Sequence, residues 1–366
     1  MMNEVRFRNF KALREVDVTF ESRLTVIVGP NGAGKTSLLQ GIEVACNILL
    51  GKSRDNNILL KYTTKGANPA DVSVHSTYTS NLERYSIDVV AALPGQNMAD
   101  IDSPIVSKSE AGDNIKRYMF STQHGWLTID GQRASLPQLH LHIPVFLRFD
   151  TSALATPSRT NKVPQTVSPN GADLASTLWY MLGKERELFA QLEATFRQVI
   201  PNVERIRFEK AADAFADMIL FDFKGASNVS AEHASTGTLH TLGLLAVILG
   251  PAQPDIILLD DIDHALHPKA QIELIKVLRD LLKQFPKLQI IATSHSLYVL
   301  HELEANEVRV MAMDPVDGRT VCAPLADHPD YKRWKETMSP GEFWSHVGED
   351  WVLDAKNKKG WEPTTS

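Results

Sequence analysis

"GPNGAGKT" (Gly29–Thr36) follows the apolar run "RLTVIVG" and leads into "SLLQGIEVACNILL". The run reads as a buried strand. Leu38, Leu39, Ile42, Ala45, Cys46 and Leu49 recur at helical spacing, so a helix starts at the glycine loop. A strand, a G-x-x-x-x-G-K-[ST] loop and a helix, in that order, predict a phosphate-binding loop. Its glycines let backbone N–H groups face phosphate oxygens, and the helix N-terminus favours the negative charge. Gly29, Pro30, Asn31, Gly32, Ala33, Gly34, Lys35, Thr36 and Ser37 are the expected nucleotide-binding residues. Lys35 is expected on the β- and γ-phosphates of the nucleotide, with the Thr36 hydroxyl on Mg²⁺.

A second stretch, "DIILLDDIDHALHP" (Asp255–Pro268), runs four apolar residues into paired carboxylates. A buried acid without a partner is costly. A phosphate-loop NTPase supplies that partner as Mg²⁺, so Asp260 is the expected second metal ligand beside Thr36. Pro268 then opens a helix, where its missing N–H costs nothing.

Between these stretches the chain alternates. "DVSVHSTYTS", "RYSIDVVAAL", "NIKRYMFST" and "GWLTIDG" read as antiparallel strands with a polar loop over about 94–113, and "LHLHIPVFLRF" as a buried strand. The Thr-, Ser-, Pro- and Asn-rich 150–169 reads as a connection. Two helices follow, the first carrying Leu174, Leu178, Met181 and Leu182, the second Leu188, Leu192, Phe196 and Val199. "RIRFEK" and "MILFDFKG" read as a strand pair, and "HASTGTLHTLGLLAVILG" as a polar turn opening a buried helix. A helix with Leu274, Ile275, Leu278, Leu281, Leu282 and Phe285 on its apolar side, the strand "LQIIATSHS" and the strand "EVRVMAMD" complete the core. The fold class expected is α/β: a phosphate-loop core with an antiparallel β subdomain and a helical insertion. The tail is mixed, and its polar end "DAKNKKGWEPTTS" is expected to be loose.

Bulk properties narrow the setting. Of 366 residues, 43% are apolar and 22% charged, as in a soluble globular protein. No run approaches the roughly 18 apolar residues of a membrane span. The charged N-terminus carries no apolar signal core, and two cysteines, Cys46 and Cys322, lack metal-ligand spacing, so a cytoplasmic protein with packing thiols is expected. The formal charge of −6 argues against sequence-blind nucleic-acid binding over the whole surface.

"PNGAGKTS", "ILLDDIDHALHP" and "ATSHS" together resemble the ATP-binding-cassette (ABC) ATPases, and more narrowly the soluble branch with RecF, the SMC proteins and the OLD-family ATPases. "FRNFKALREVDVTF" resembles that branch's opening strands, and "NGADLASTLWYML", "FRQVIPNVERIRF" and "ASTGTLHTLGLLAVIL" its helical lobe and signature segment. The resemblance implies an ATPase domain over 1–323, with a β-rich subdomain and core strand over about 60–150 and a helical lobe insertion over about 151–234. A C-terminal extension over 324–366 follows.

It further implies that Ser235, Gly237 and Thr238 form a turn that binds the γ-phosphate held by a second copy, so a homodimer enclosing two ATP molecules is expected. An ordinary helix cap is the other reading of Ser235, and both can hold. The signature lacks the second Gly and the Gln of transporter cassettes. His295 matches the family's γ-phosphate-sensing histidine, and His267 in "ALHP" falls on the loop that crosses the dimer interface. The Mg²⁺-contacting glutamine expected after "VFLRF" has no counterpart there. Asp150 occupies the spot and Gln165 lies further on.

Where the family has Glu after the metal Asp, this chain has Asp261, shorter by about 1.5 Å. Three readings stay open: Asp261 is still the base, with the backbone closed up or another water interposed; Asp263 shares the work; or hydrolysis is slow and ATP mainly holds a dimer. A slow ATPase using Asp261 is the expectation. Two function classes follow. One is a nucleotide-dependent switch in a prokaryotic DNA-related or phage-defence system, working with a separately encoded nuclease or toxin. The other is a non-hydrolysing clamp or sequestering scaffold. A transporter ATPase fits the signature and opening strands less well. Arg6, Arg8, Lys11 and Arg14 are read either as a DNA contact or as a solvated strand edge. His140 and His142 share a strand face without a third metal ligand.

Overall fold

The computed structural model describes residues 1–49, 61–67, 72–80, 83–90, 118–121, 126–129, 132–134, 144–159, 166–212 and 215–357. The polar loop expected over 94–113, His140, His142 and Gln165 lie outside them.

The core sheet runs β16-β15-β3-β14-β13-β9. Its strands are β3 (Leu24–Val28), β9 (Pro144–Leu147), β13 (Ile256–Leu259), β14 (Gln289–Thr293), β15 (Val308–Met313) and β16 (Thr320–Pro324). All neighbours pair in parallel except β15 with β16. β3, β13 and β14 are buried along their whole length. That explains why they read as unbroken aliphatic runs: a parallel strand covered on both faces has no polar side.

Alternation sorts these strands between two cores. Ile27, Ile256, Leu258 and Ile291 face α1 (Lys35–Leu49), packing with Leu38, Leu39 and Ile42. Beyond α1 lies an antiparallel sheet of order β2-β1-β4-β5, made of β1 (Met2–Phe10), β2 (Leu13–Thr19), β4 (Ser73–Ser80) and β5 (Glu83–Val90). Val26, Val28, Ile257, Ile290 and Ala292 face the opposite way. There they meet α5 (Thr236–Leu249), α6 (Pro268–Gln284) and α7 (Leu297–His301). Gln289 joins the two sheets: Met2 N donates to its Oε1 (2.7 Å) and its Nε2 donates to Met2 O (2.9 Å). The β-rich region is therefore not one contiguous insert. β4 and β5 extend the N-terminal sheet, β9 joins the core, and β6 (Tyr118–Ser121), β7 (Trp126–Ile129) and β8 (Gln132–Ala134) pair among themselves.

The helical lobe has α3 (Leu174–Lys184) and α4 (Arg186–Val199), with β10 (Val203–Lys210) and β11 (Asp217–Phe223) as an antiparallel pair. Several elements exceed the sequence reading. The stretch read as a connection holds α2 (Thr151–Ala155), because the Asp150 carboxylate accepts from the N–H groups of Ser152 (2.8 Å) and Ala153 (3.0 Å). β12 (Ala226–Ser230) extends the β10–β11 pair, and β16 adds a strand after "EVRVMAM". The tail holds α8 (Tyr331–Trp334), α9 (Pro340–Val347) and α10 (Asp350–Asn357), with Phe343 and Val352 buried in the core. The helix thus continues to Asn357 into the segment expected to be loose, because Val352 supplies an apolar anchor.

Candidate active site

The phosphate loop joins the C-terminal end of β3 to α1. Gly29 (φ 147°), Gly32 (φ 85°) and Gly34 (φ 96°) all take backbone conformations that L side chains avoid. A Cβ on Gly34 would also lie 2.8 Å from Leu13 Cδ2. Lys35 is buried, and its Nζ donates to the carbonyls of Gly29 (2.8 Å) and Pro30 (3.0 Å). Burial pushes its ammonium below the usual lysine range, opposed by the charges of Asp261, Asp260 and Glu349. Glu349, between α9 and α10, is a neighbour that no motif announced.

Thr36 Oγ1 donates to Asp260 Oδ2 (2.8 Å). The other carboxylate oxygen, Oδ1, accepts from Thr293 Oγ1 (2.6 Å), and Thr293 Oγ1 in turn accepts from the Asp261 amide (2.8 Å). One chain of hydrogen bonds therefore links the phosphate loop, Asp260 and Asp261 across three adjacent strand ends. A hydroxyl and a carboxylate oxygen side by side are the hard donors that Mg²⁺ prefers, and they leave room for phosphate and water as further ligands. Thr293 is fully buried and was not singled out from sequence. Its signal is a lone hydroxyl closing the aliphatic run "LQIIA".

Asp261 sits at φ 50°, a left-handed conformation that Asp tolerates better than most residues. Partial burial, then the charges of Asp260 and Asp263, raise its carboxyl above the usual range, while His295 and His264 pull the other way. Asp263 is engaged elsewhere: its Oδ1 accepts from Ser294 Oγ (2.6 Å), which holds the loop to the end of β14. His295 is solvent-exposed two residues beyond Thr293. Ser296, one residue further, donates through Oγ to Gln271 Oε1, and Gln271 Nε2 donates to Leu266 O (2.8 Å). Neither residue has a role in the sequence reading: Ser296 closes "ATSHS" beside His295, and Gln271 lies on α6 outside the quoted motifs.

The signature turn is a cap. Ser235 Oγ accepts from Thr238 N (3.2 Å) and pairs with Thr238 Oγ1 (2.7 Å). It packs on the loop after Asp261: a Cβ on Gly237 would lie 2.5 Å from Ala265 O. Ser235, Gly237, Thr238, Ala265, His267 and Lys269 line a groove of about 320 Å³. Among the described residues, every hydrogen bond of Ser235 and Thr238 side chains is local, and none joins them to residues 29–37. His267 caps α6 through Nδ1, which accepts from Lys269 N (3.4 Å).

Behind Asp261, the His240 and His264 rings stack at 4.8 Å, and Phe149 meets His240 edge-on at 5.7 Å. Burial and the neighbouring His264 push His240 down to about 4, with Asp150 opposing. Asp150 stands where the family has glutamine, and its carboxylate is engaged in the α2 cap. At the N-terminal edge, Arg6 pairs with Glu4 (2.7 Å), and Arg8 with Glu15 and Asp17 (both 3.4 Å). Lys11 donates to Gln40. Arg6 and Arg8 are thus paired with acids of their own sheet, as on a solvated strand edge, whereas the partner of Lys11 is a neutral amide. Cys46 and Cys322 are both buried thiols, and burial pushes Cys46 up to about 12.

Two family profiles match the chain: "AAA domain, putative AbiEii toxin, Type IV TA system" over residues 139–301, and "AAA domain" over residues 4–141. Among curated proteins, the chain is 38% identical over 66 residues to the DNA replication and repair protein RecF of Gloeothece citriformis, covering 18% of this chain and 17% of that protein. It is 28% identical over 109 residues to the DNA double-strand break repair Rad50 ATPase of Archaeoglobus fulgidus, 29% of this chain and 12% of that one. Against the OLD nuclease of Thermus scotoductus it is 28% identical over 122 residues, 32% of this chain and 22% of that one. The chain thus spans about a fifth of the length of the curated relatives it matches. An SMC head bound to the C-terminal winged-helix domain of ScpA superposes with a TM-score of 0.56 at 14% identity, covering 90% of this chain and 99% of that one. A Pyrococcus furiosus SMC head with an extended coiled coil gives 0.50 at 14%, over 92% and 99%. These structures share the fold.

Proposed function

We propose, from the premise that this chain is an ABC-type ATPase of the branch that holds RecF, the SMC proteins and the OLD ATPases, that it binds Mg·ATP between two copies of itself and hydrolyses it slowly. The observation that carries this reading is the hydrogen-bond chain Thr36–Asp260–Thr293–Asp261 beside Lys35. The loop amides and Lys35 would bind the triphosphate, and Thr36 and Asp260 would hold Mg²⁺, which would supply charge neutralisation of the phosphates. Asp261 orients the attacking water, and His295 senses the γ-phosphate. Partial burial, then the charges of Asp260 and Asp263, raise the Asp261 carboxyl and make it a better proton acceptor once ionised. Its short side chain sets the slow pace.

The local hydrogen bonding of Ser235 and Thr238, with none to their own phosphate loop among the described residues, supports a homodimer in which each turn reaches the other copy's ATP. We take 1–323 as the ATPase domain and 324–366 as a C-terminal extension, the limit falling within β16 (Thr320–Pro324). A DNA-related or phage-defence setting with a separately encoded nuclease or toxin fits the names of the relatives and the toxin–antitoxin wording of the matched profile. Among the described residues no helix is long and apolar enough to cross a membrane, and the buried free thiols suit a reducing cytoplasm. A non-hydrolysing clamp is favoured by one observation, the short, left-handed Asp261.

The test is Mg²⁺-dependent ATP turnover of the parent, Lys35→Ala, Asp261→Asn and Asp261→Glu. Turnover that both Lys35→Ala and Asp261→Asn abolish identifies a working ATPase. ATP binding without turnover in the parent, with turnover appearing in Asp261→Glu, selects the clamp.

A further inference from the structure

His295 stands between two anchored serines. On one side, Ser294 Oγ donates to Asp263 Oδ1 (2.6 Å) and accepts from Ser296 N (3.0 Å). On the other, Ser296 Oγ donates to Gln271 Oε1, and Gln271 Nε2 donates to Leu266 O (2.8 Å). Both bridges end on the loop after β13. That loop supports a third segment. A Cβ on Gly237 would meet Ala265 O at 2.5 Å and Leu266 Cδ2 at 2.9 Å, so the signature turn rests directly on the residue whose carbonyl Gln271 holds. Gln271 is 8% exposed and sits in the first turn of α6, where its backbone N–H donates to His267 O (3.1 Å). The bridge requires an amide. A carbonyl such as Leu266 O can only accept, so the NH₂ group must face it, which leaves Oε1 for the Ser296 proton. An ionised carboxylate lacks the donor, and an aliphatic side chain lacks both groups.

We propose that Gln271 is a positioning residue for the reaction: it holds the His295 segment and the signature turn of one copy at a fixed spacing. The proposal deepens the function given above and rests on it. In the dimer, His295 serves the ATP of its own copy, whereas Ser235, Gly237 and Thr238 serve the ATP of the other. One buried amide therefore sets the geometry of a contact to each of the two nucleotides. It acts through the segments it holds and is placed on neither nucleotide.

Gln271→Met keeps the length of the side chain and removes both bonds. In the full-length protein it is expected to lower kcat roughly tenfold to a hundredfold, the cost of a displacement near 1 Å, with binding of a fluorescent ATP analogue unchanged. An unchanged kcat overturns the proposal, even where the thermal midpoint falls. Mixed dimers separate the two arms. A Lys35→Ala copy supplies only a turn, and a Ser235→Arg copy only a phosphate loop with its His295. Gln271→Met placed in either copy should lower the turnover recovered on mixing, and a loss from one copy only overturns the proposal. The mixture with Gln271 intact is the control: if it recovers nothing, the shared site itself fails and the proposal falls with it. If the parent does not turn ATP over, the hydrolysis reading fails by itself. The dimer mass that Asp261→Asn gains with Mg·ATP then decides: Gln271→Met in that background should lose it, and an undiminished dimer overturns the proposal.

Discussion

The hydroxyl of Thr293 gives its proton to Asp260 and accepts one from the Asp261 amide, so one side chain sets the spacing of both acids. Thr293→Val keeps the volume and removes the hydroxyl. It should cost about 1–3 kcal/mol in chemical denaturation, because it leaves a backbone N–H unpaired, and lower turnover about tenfold or more. Thr293→Ser should restore most of both. His240 adds a pH dependence. The unfolded chain takes up a proton near 6.5, whereas the folded chain resists until about 4. The stability tied to neutral His240 is therefore complete above 6.5 and is lost as pH falls toward 4. Asp150 and His264, the charged neighbours on α2 and on the loop after β13, act in opposite directions on it. Melting temperatures between pH 7 and pH 5 should fall more steeply for the parent than for His240→Phe.

Among the elements, α9 lies so close to α7 that a Cβ on Gly341 would sit 2.6 Å from Leu297 O and 3.2 Å from His301 N. Both contacts are to backbone, so neither can swing aside. Gly341→Ala should cost about 1–3 kcal/mol by overpacking. Because α7 begins two residues after His295, turnover should drop while ATP-analogue binding persists. This pairing also marks how far the sequence could be read. The phosphate loop, the metal strand and the signature helix were legible because each joins a chemical motif to a long apolar period. α2 was not, since its stability comes from the Asp150 cap inside a Thr/Ser/Pro-rich stretch. β12 and β16 are five residues each and gain their structure from a neighbouring strand. Thr293, Gln271 and the Phe149–His240–His264 stack depend on contacts between distant segments, which no local pattern encodes.

For the whole molecule, the proposed dimer would let a turn whose side-chain hydrogen bonds are all local meet its phosphate in the second copy. Asp261→Asn with Mg·ATP should therefore shift from monomer to dimer mass in light scattering, and Ser235→Arg should prevent the shift. Lys35→Ala and Ser235→Arg should each be inactive alone. Mixed, they should recover part of the turnover, because one of the two composite sites in a mixed dimer keeps both an intact loop and an intact turn. No recovery on subunit exchange would rule out the shared site.

The core sheet places β3 between β14 and β15, which both come from the last third of the chain. During synthesis the phosphate-loop strand therefore waits, with both hydrogen-bonding edges open, for partners made more than 250 residues later. Such long-range parallel pairing folds slowly and leaves aliphatic edges exposed meanwhile. The nascent N-terminal third should be a chaperone client, and ATP binding should arise only once β14 and β15 have closed around the loop that precedes them.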